Sequence, residues 1–356
     1  MRCQFSLLKN QPFRRTRSAC YLAARIRRTI QCRGGYWELQ SKDISEHEPL
    51  VTSKESTHDP ACLFRAFGLT LAPKTHASIR LIRIGQFDIA VYSFRPHLNP
   101  IKGQILLLHG YILHSLCQAP LISHLAANGW EVISIDWPGH GLSSGKRANI
   151  SDFSIYADIL SSVIDTIAPD SGTAPLHLIA HSTGCSAWIE RMRSGLPDPF
   201  NKVILISPLI RNAAWYASLT GLWLAKRIRW ILVPRIFRRS SHDPLYLNTM
   251  KTDPLAPWVL PIQWSQSLLE WQRKLHRTHP FERTVTVFQG THDTVVDWKH
   301  GLRTIRRIFP RSSIIQCKGQ RHDLLNESLP ARTMVFEAID RMLAPPIDPN
   351  SDSLNA

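Results

Sequence analysis

Residues 176–188, LHLIAHSTGCSAW, run from a short apolar stretch into a serine set between small neighbours and then into a helical pattern. How Ser182 is placed decides how the rest of the chain is read. A nucleophile elbow is written G-x-S-x-G, because a sharp strand-to-helix reversal strains the serine backbone and crowds the residues two before and two after it. Here the pattern is A-H-S-T-G: Ala180 adds one methyl where glycine is usual, and Gly184 keeps the close approach on the far side. A serine that merely opens a helix is also common, so the motif needs company elsewhere in the chain.

That company lies at the ends of other apolar runs. From about residue 77, ASIRLIRI and FDIAVYSF predict a hairpin, and ILLLH, EVISID, LHLIAH, VILIS, TVTVFQG and SSIIQC have the composition of buried parallel strands, mostly separated by helical stretches. The expectation is an open α/β sheet, whose function gathers at the carboxyl ends of its strands. Those ends read HGYILHS, DWPGHGLSSG, AHSTG, GTHDTVVD and GQRHDLLNES. Ser182, Asp293 and His322 follow one another in the order serine, acid, histidine. A serine hydroxyl needs an imidazole to take its proton, and the imidazole needs a carboxylate to fix its tautomer and stabilise its cation. Asp297 and His300 are rivals, ranked lower because Asp293 comes immediately past its strand and only His322 follows the final one. His109, His140, His181 and His292 read as structural. The backbone amides of Thr183, after the serine, and Tyr111, after the third strand, are the expected donors to an oxyanion.

The chain has 356 residues, enough for one large or two small globular domains. Its net charge of +16 is uneven: residues 1–37 hold nine Lys and Arg and no acid. That leader has no apolar run long enough for a secretory signal or a membrane span. It is read as an extension outside the fold, with an Arg-rich organelle presequence and a membrane-surface arm left open. The seven cysteines are scattered without CxxC pairs, so neither a disulfide framework nor a zinc site is expected, and a cytoplasmic setting fits reduced thiols. Residues 103–130 lack any charge, but His, Ser, Gln and Asn interrupt them, and they read as strand, turn and helix rather than a membrane span.

At this point the chain resembles the monoacylglycerol lipase and lysophospholipase group of α/β-hydrolases, also grouped with serine aminopeptidase-like hydrolases, over roughly residues 81–342. HGYILHS resembles the group's H-G-x-x-x-H-S loop, through His109, Gly110, His114 and Ser115. DWPGHGLSSG resembles D-x-x-G-H-G-x-S-x-G, GTHDTVVD the acid loop, and RHDLLNE the histidine loop. Ala180, the Trp137-Pro138 pair and the basic leader depart from the pattern. The resemblance implies an α/β-hydrolase fold: a mostly parallel eight-stranded sheet flanked by helices, with a helical cap inserted after the sixth strand. The expected divisions are a basic extension at 1–70, poorly ordered in part, a hydrolase domain at 71–344 with its cap at about 208–262, and a disordered tail at 345–356.

The implied activity is hydrolysis of carboxylic esters of single-chain lipids, a monoacylglycerol or lysophospholipid, through an acyl-enzyme on Ser182 and with no metal or cofactor. A general carboxylesterase, an aminopeptidase of the same fold and a catalytically silent binding protein are the alternatives. Across 208–262 there are eight basic residues against two acidic, with Trp215, Trp223, Trp230 and Trp258, a composition suited to peripheral contact with a membrane or to a solvated basic surface over buried tryptophans. Within it LTGLWLAKRIRWIL predicts one amphipathic helix, with Leu224, Ala225, Ile228, Ile231 and Leu232 on the side that lines an acyl tunnel or packs the cap. No nucleic-acid-binding motif is present. The sequence is silent on oligomeric state, head group and acyl length.

Overall fold

The computed structural model of the chain describes residues 12–40, 64–98, 100–167, 174–227 and 231–344. The strands are β1 (Tyr36–Gln40), β2 (His76–Ile84), β3 (Phe87–Arg95), β4 (Gly103–Leu108), β5 (Trp130–Ile135), β6 (Leu176–His181), β7 (Val203–Ile206), β8 (Leu232–Pro234), β9 (Val259–Pro261), β10 (Thr286–Gly290) and β11 (Ser313–Cys317). The helices are α1 (Pro12–Gln31), α2 (Ala119–Ala127), α3 (Ser154–Ile167), α4 (Thr183–Arg193), α5 (Trp215–Arg227), α6 (Pro244–Thr252), α7 (Ile262–His276), α8 (Trp298–Ile308) and α9 (Leu329–Leu343).

Nine strands form one sheet in the order β1-β2-β3-β5-β4-β6-β7-β10-β11. The six from β5 to β11 run parallel, and β1, β2 and β3 close one edge antiparallel. Every residue of β4, β5 and β6 is buried. Alternation then divides each strand between two cores: Leu106 and Leu108 of β4 face the core beneath α3, α4, α7 and α8, while Ile105 and Leu107 face the one beneath α2 and α9. The hydrolase fold expected from the motifs is present, and its strand order brings the carboxyl ends of β4, β6, β7 and β10 side by side.

Two parts differ from the sequence expectation. The reading set residues 1–70 apart from the domain; their described portion packs on it. In α1, Ala23, Ile26 and Ile30 are buried in the second core, and Arg27 donates to the carbonyls of Leu142 and Ser143, each at 3.1 Å. β1 adds a ninth strand through pairing with β2. The many arginines of α1 hide an apolar stripe at intervals of three and four, which is enough to seat a helix whose other faces stay wet. The tail at 345–356 lies outside the described residues.

The second difference is in the insert between β7 and β10. The helix is described as far as Arg227, and Leu232, inside the stretch read as one helix, belongs to β8, which pairs antiparallel with β9. Leu224 and Ile231 are exposed at 50% and 74%, so this side does not line an interior tunnel at those residues. Ile228 and Trp230 lie outside the described residues. Val233 is β-branched and Pro234 lacks an N–H, so both are poor helix continuations, and pairing of Leu232–Pro234 with Val259–Pro261 prevails there.

Candidate active site

At the end of β6 the chain reverses into α4 through Ser182, whose backbone sits at φ 52° and ψ −110°. A side chain at positive φ is strained, and strain persists only where surroundings over-determine it. Here the Ser182 amide donates to Ile206 O at 2.9 Å, and the Ser182 carbonyl accepts from Cys185 and Leu209 amides. Gly184 must remain glycine: a Cβ there would lie 2.7 Å from Leu108 O and 2.8 Å from Leu108 Cβ. Ala180 faces the first core with no exposed surface, so its methyl is accommodated where the motif usually has glycine. The expected result of Gly184→Ala is therefore a loss of about 1–3 kcal/mol of stability and a displaced Ser182, read by chemical denaturation and by esterase assay on the folded fraction; unchanged values would refute the crowding argument.

The acid and histidine loops are drawn together by close backbone approach. At Gly290, closing β10, a Cβ would collide with the carbonyls of Gln320 and Arg321, the two residues before His322. Ser207, at the end of β7 with φ 47°, donates its hydroxyl to the His322 carbonyl at 2.7 Å. The result is a buried line. His322 Nδ1 stands 2.7 Å from Asp293 Oδ2, and His322 Nε2 3.1 Å from Ser182 Oγ. Asp293 Oδ1 accepts from the Val295 and Val296 amides, and its Oδ2 also accepts from Gln289 Nε2. With Oδ2 an acceptor, His322 Nδ1 carries the proton and Nε2 is left to accept from the serine.

The electrostatics follow from the same contacts. Burial alone would raise the Asp293 carboxyl, but the facing His322, with the two amides, brings it below the ordinary carboxylate value. Burial alone would lower His322, and Asp293 outweighs it and raises the imidazole above its usual value. The neighbouring His181, buried and repelled by His322, is pushed down to about 4. Asp293 thus outweighs burial at His322, whereas burial prevails at His181 although Asp323 Oδ1 stands 3.5 Å from its Nε2.

The remaining candidates fall elsewhere. Asp297 caps α8 by accepting the His300 amide and pairs with Arg211 at 2.7 Å. His300 is half-buried near Gln272 and Thr304, with no contact to Ser182. His292 is exposed. His109 donates from Nδ1 to Gly110 O and accepts the Trp137 amide at Nε2, while the Trp137 indole donates back to the His109 carbonyl at 3.0 Å. Burial pushes His109 down to about 3, so the ring is neutral, and the unusual Trp137 is a lock on this loop. His140 donates to Pro138 O.

Tyr111 and Thr183 do meet: the Tyr111 amide lies 3.2 Å from Thr183 Oγ1. The Thr183 amide is the first of α4, where helix geometry supplies no carbonyl partner. Gly110 keeps the loop against the serine, since a Cβ would lie 3.0 Å from Ser182 Cβ. The Tyr111 ring stacks on Trp264 at 3.6 Å between centroids and its hydroxyl donates to Ala148 O. Sequence reasoning missed Ser207, Gln289 and Trp264. For Gln289 a signal existed, a lone amide in the apolar run TVFQG four residues before the acid.

Residues 99–329 match the family model described as Serine aminopeptidase, S33. The chain is similar to the human monoglyceride lipase, 31% identical over 266 residues that cover 72% of this chain and 86% of that protein. It is similar also to a monoacylglycerol lipase of Mycolicibacterium smegmatis, 26% identical over 72% of this chain and 92% of the relative. Among solved structures, a soluble variant of the Saccharomyces cerevisiae monoglyceride lipase in complex with a substrate analog superimposes with a TM-score of 0.64 at 19% identity, covering 74% of this chain and 94% of that one. That likeness concerns the fold. With the family model spanning most of the chain, and full-length relatives above 30% identity, the chain belongs to the serine aminopeptidase S33 family of α/β-hydrolases, in its monoacylglycerol lipase group.

Proposed function

We propose that the protein is a serine hydrolase that cleaves carboxylic esters of single-chain lipids, a monoacylglycerol or lysophospholipid, through an acyl-enzyme on Ser182. The observation that carries this reading is the unbroken hydrogen-bond line from Ser182 through His322 to Asp293, beside a Tyr111 amide that donates to Thr183 Oγ1. Ser182 Oγ attacks the ester carbonyl as His322 Nε2 takes its proton. The Tyr111 and Thr183 amides receive the oxyanion, and Thr183 Oγ1, the present acceptor of the Tyr111 amide, turns aside. His322 then protonates the leaving alcohol, and in the second half activates a water that releases the fatty acid. Asp293 stays ionised throughout and holds the imidazolium.

The insert at about 208–262 acts as the cap, and its surface supports a peripheral membrane contact. Trp223, Leu224, Ile231, Ile236 and Leu245 are each at least half exposed, among eight cations and only two acids. Large apolar groups beside basic ones suit a headgroup layer. No helix among the described residues is long and apolar enough to cross a membrane. The aminopeptidase alternative lacks its recognition group in the cap: Asp243 is engaged as the N-cap of α6, and Asp253 is buried. Neither carboxylate is presented to a substrate's amino terminus.

Purified protein assayed on monoacylglycerols, lysophospholipids, p-nitrophenyl esters of rising chain length and aminoacyl amides tests the reading. Long-chain lipid esters are expected to give the highest kcat/KM, rising further on anionic vesicles. Turnover confined to short esters would replace the lipid reading with a general esterase, and turnover confined to amides with a peptidase.

A further inference from the structure

A second cluster of reactive side chains shares no residue with the Ser182 line. His114, Cys117 and Asp253 are 1%, 3% and 4% exposed, and one ring nitrogen, the thiol sulfur and one carboxylate oxygen all lie within 4.8 Å of one another. His114 and Cys117 flank the turn after β4, where the Cys117 amide donates to the His114 carbonyl, and Asp253 ends α6 in the insert. Asp253 Oδ1 accepts the Leu255 amide at 2.7 Å. Its Oδ2 has no hydrogen-bond partner, nor has either nitrogen of the His114 ring. Nε2 and Oδ2 stand 3.3 Å apart, within ion-pair distance, and against burial the facing Cys117 and Asp253 raise the imidazole well above its usual value, so the pair is held by charge without the alignment of a hydrogen bond. A buried pair without an aligned hydrogen bond is under-satisfied, and an ion set between its atoms is one physical reason for that arrangement.

The distances fit such an ion. Tetrahedral zinc, with bonds of roughly 2.0–2.2 Å to nitrogen and oxygen, holds two such ligand atoms about 3.3–3.5 Å apart. The donor set of imidazole, thiolate and carboxylate is that of a borderline divalent metal rather than calcium or magnesium. One thiolate and one carboxylate also balance the two positive charges, so the filled site is neutral. The buried Arg235 guanidinium lies within electrostatic reach of Asp253 and Cys117 and opposes a further positive charge there. A cavity of about 520 Å³ lined by Cys117, Tyr246 and Met250 gives a route to the sulfur and room for a fourth ligand.

We propose that His114, Cys117 and Asp253 form a three-ligand site for a divalent transition-metal ion of the zinc type, with water completing the coordination from the cavity side. On binding, the Cys117 thiol and the His114 ring, which against burial Cys117 and Asp253 hold well above its usual value, each give a proton to solvent, and Sγ and the freed ring nitrogen donate electron pairs to the metal; nothing is oxidised. The ion clips the end of α6 to the loop that carries the Tyr111 amide three residues upstream. The sequence expectation of no zinc site came from the missing CxxC pairs; this site takes one cysteine, and its aspartate is remote in the chain.

The test uses the full chain, stripped with a chelator and dialysed, then titrated with Co(II). One equivalent is expected to bind with a near-ultraviolet thiolate-to-cobalt band, displaced by Zn(II). Cys117→Ser should abolish the band, Asp253→Asn should weaken binding more than about tenfold, and Cys32→Ser, at an exposed thiol, should leave it unchanged. Zn(II) is also expected to raise the melting temperature of the unaltered chain, a reading that stands even if the buried variants fail to fold. Absence of stoichiometric uptake, no thermal shift, or a band that survives in Cys117→Ser would each overturn the site.

Discussion

Ser182→Ala is expected to lower monoacylglycerol hydrolysis by a factor of about 10⁴ or more, with the melting temperature unchanged. Alanine keeps the strained φ of 52° and the core contacts around it, and removes only the hydroxyl that faces His322 Nε2 at 3.1 Å. Ser182→Gly sharpens the test. Glycine is at ease at positive φ, so this variant should be as inactive yet about 1 kcal/mol more stable. A serine kept for structure would give the opposite pattern, with hydrolysis surviving in both variants. Released fatty acid and a urea melt, measured on the same preparations, separate the two.

Asp293→Asn should lower kcat by about 10⁴-fold, whereas Asp297→Asn should leave it within a few-fold. An asparagine amide facing His322 Nδ1 favours the wrong tautomer, and the proton then sits where the serine must donate. Asp297 acts on α8 and Arg211 instead; asparagine keeps the cap, so only the lost charge facing Arg211 should appear, as about 0.2–1 kcal/mol of stability. The pH profile adds a second readout. Burial lowers His322 and Asp293 more than reverses it, leaving the imidazole above 6.5. Since the working base is neutral His322, kcat/KM should fall as pH drops through that raised value. Removing the carboxylate should move the residual acid limb to lower pH. Equal losses at the two aspartates, or an unmoved limb, would remove Asp293 from its role.

The meeting of Ser182, His322 and Asp293 was legible because each sits within a few residues of an apolar run, and strand ends of a parallel sheet converge whatever lies between them. The rivals Asp297 and His300 were separable by the same argument of distance past the strand. Ser207 and Trp264 were not legible: a serine ending a strand and a tryptophan on a helix look ordinary until the sheet order sets one beside His322 and the other over Tyr111. The leader misled for a different reason. Net charge dominates its composition, while the packing of α1 depends on three small or branched side chains in register. The insert misled through periodicity, since 14 residues of amphipathic pattern conceal a change to strand by Leu232 that only pairing between β8 and β9 reveals.

The docking of α1 also has a consequence for the order of synthesis. Arg27 grips carbonyls 115 and 116 positions downstream, and Ala23, Ile26 and Ile30 rest on strands made well after them. At roughly 5–20 residues per second on the ribosome, this basic, apolar-striped segment leaves the exit tunnel about 6–23 s before the carbonyls that Arg27 holds, and longer before β9, which it also touches. During that interval it is free to meet a chaperone or an anionic bilayer, and closure of the sheet's edge then withdraws it.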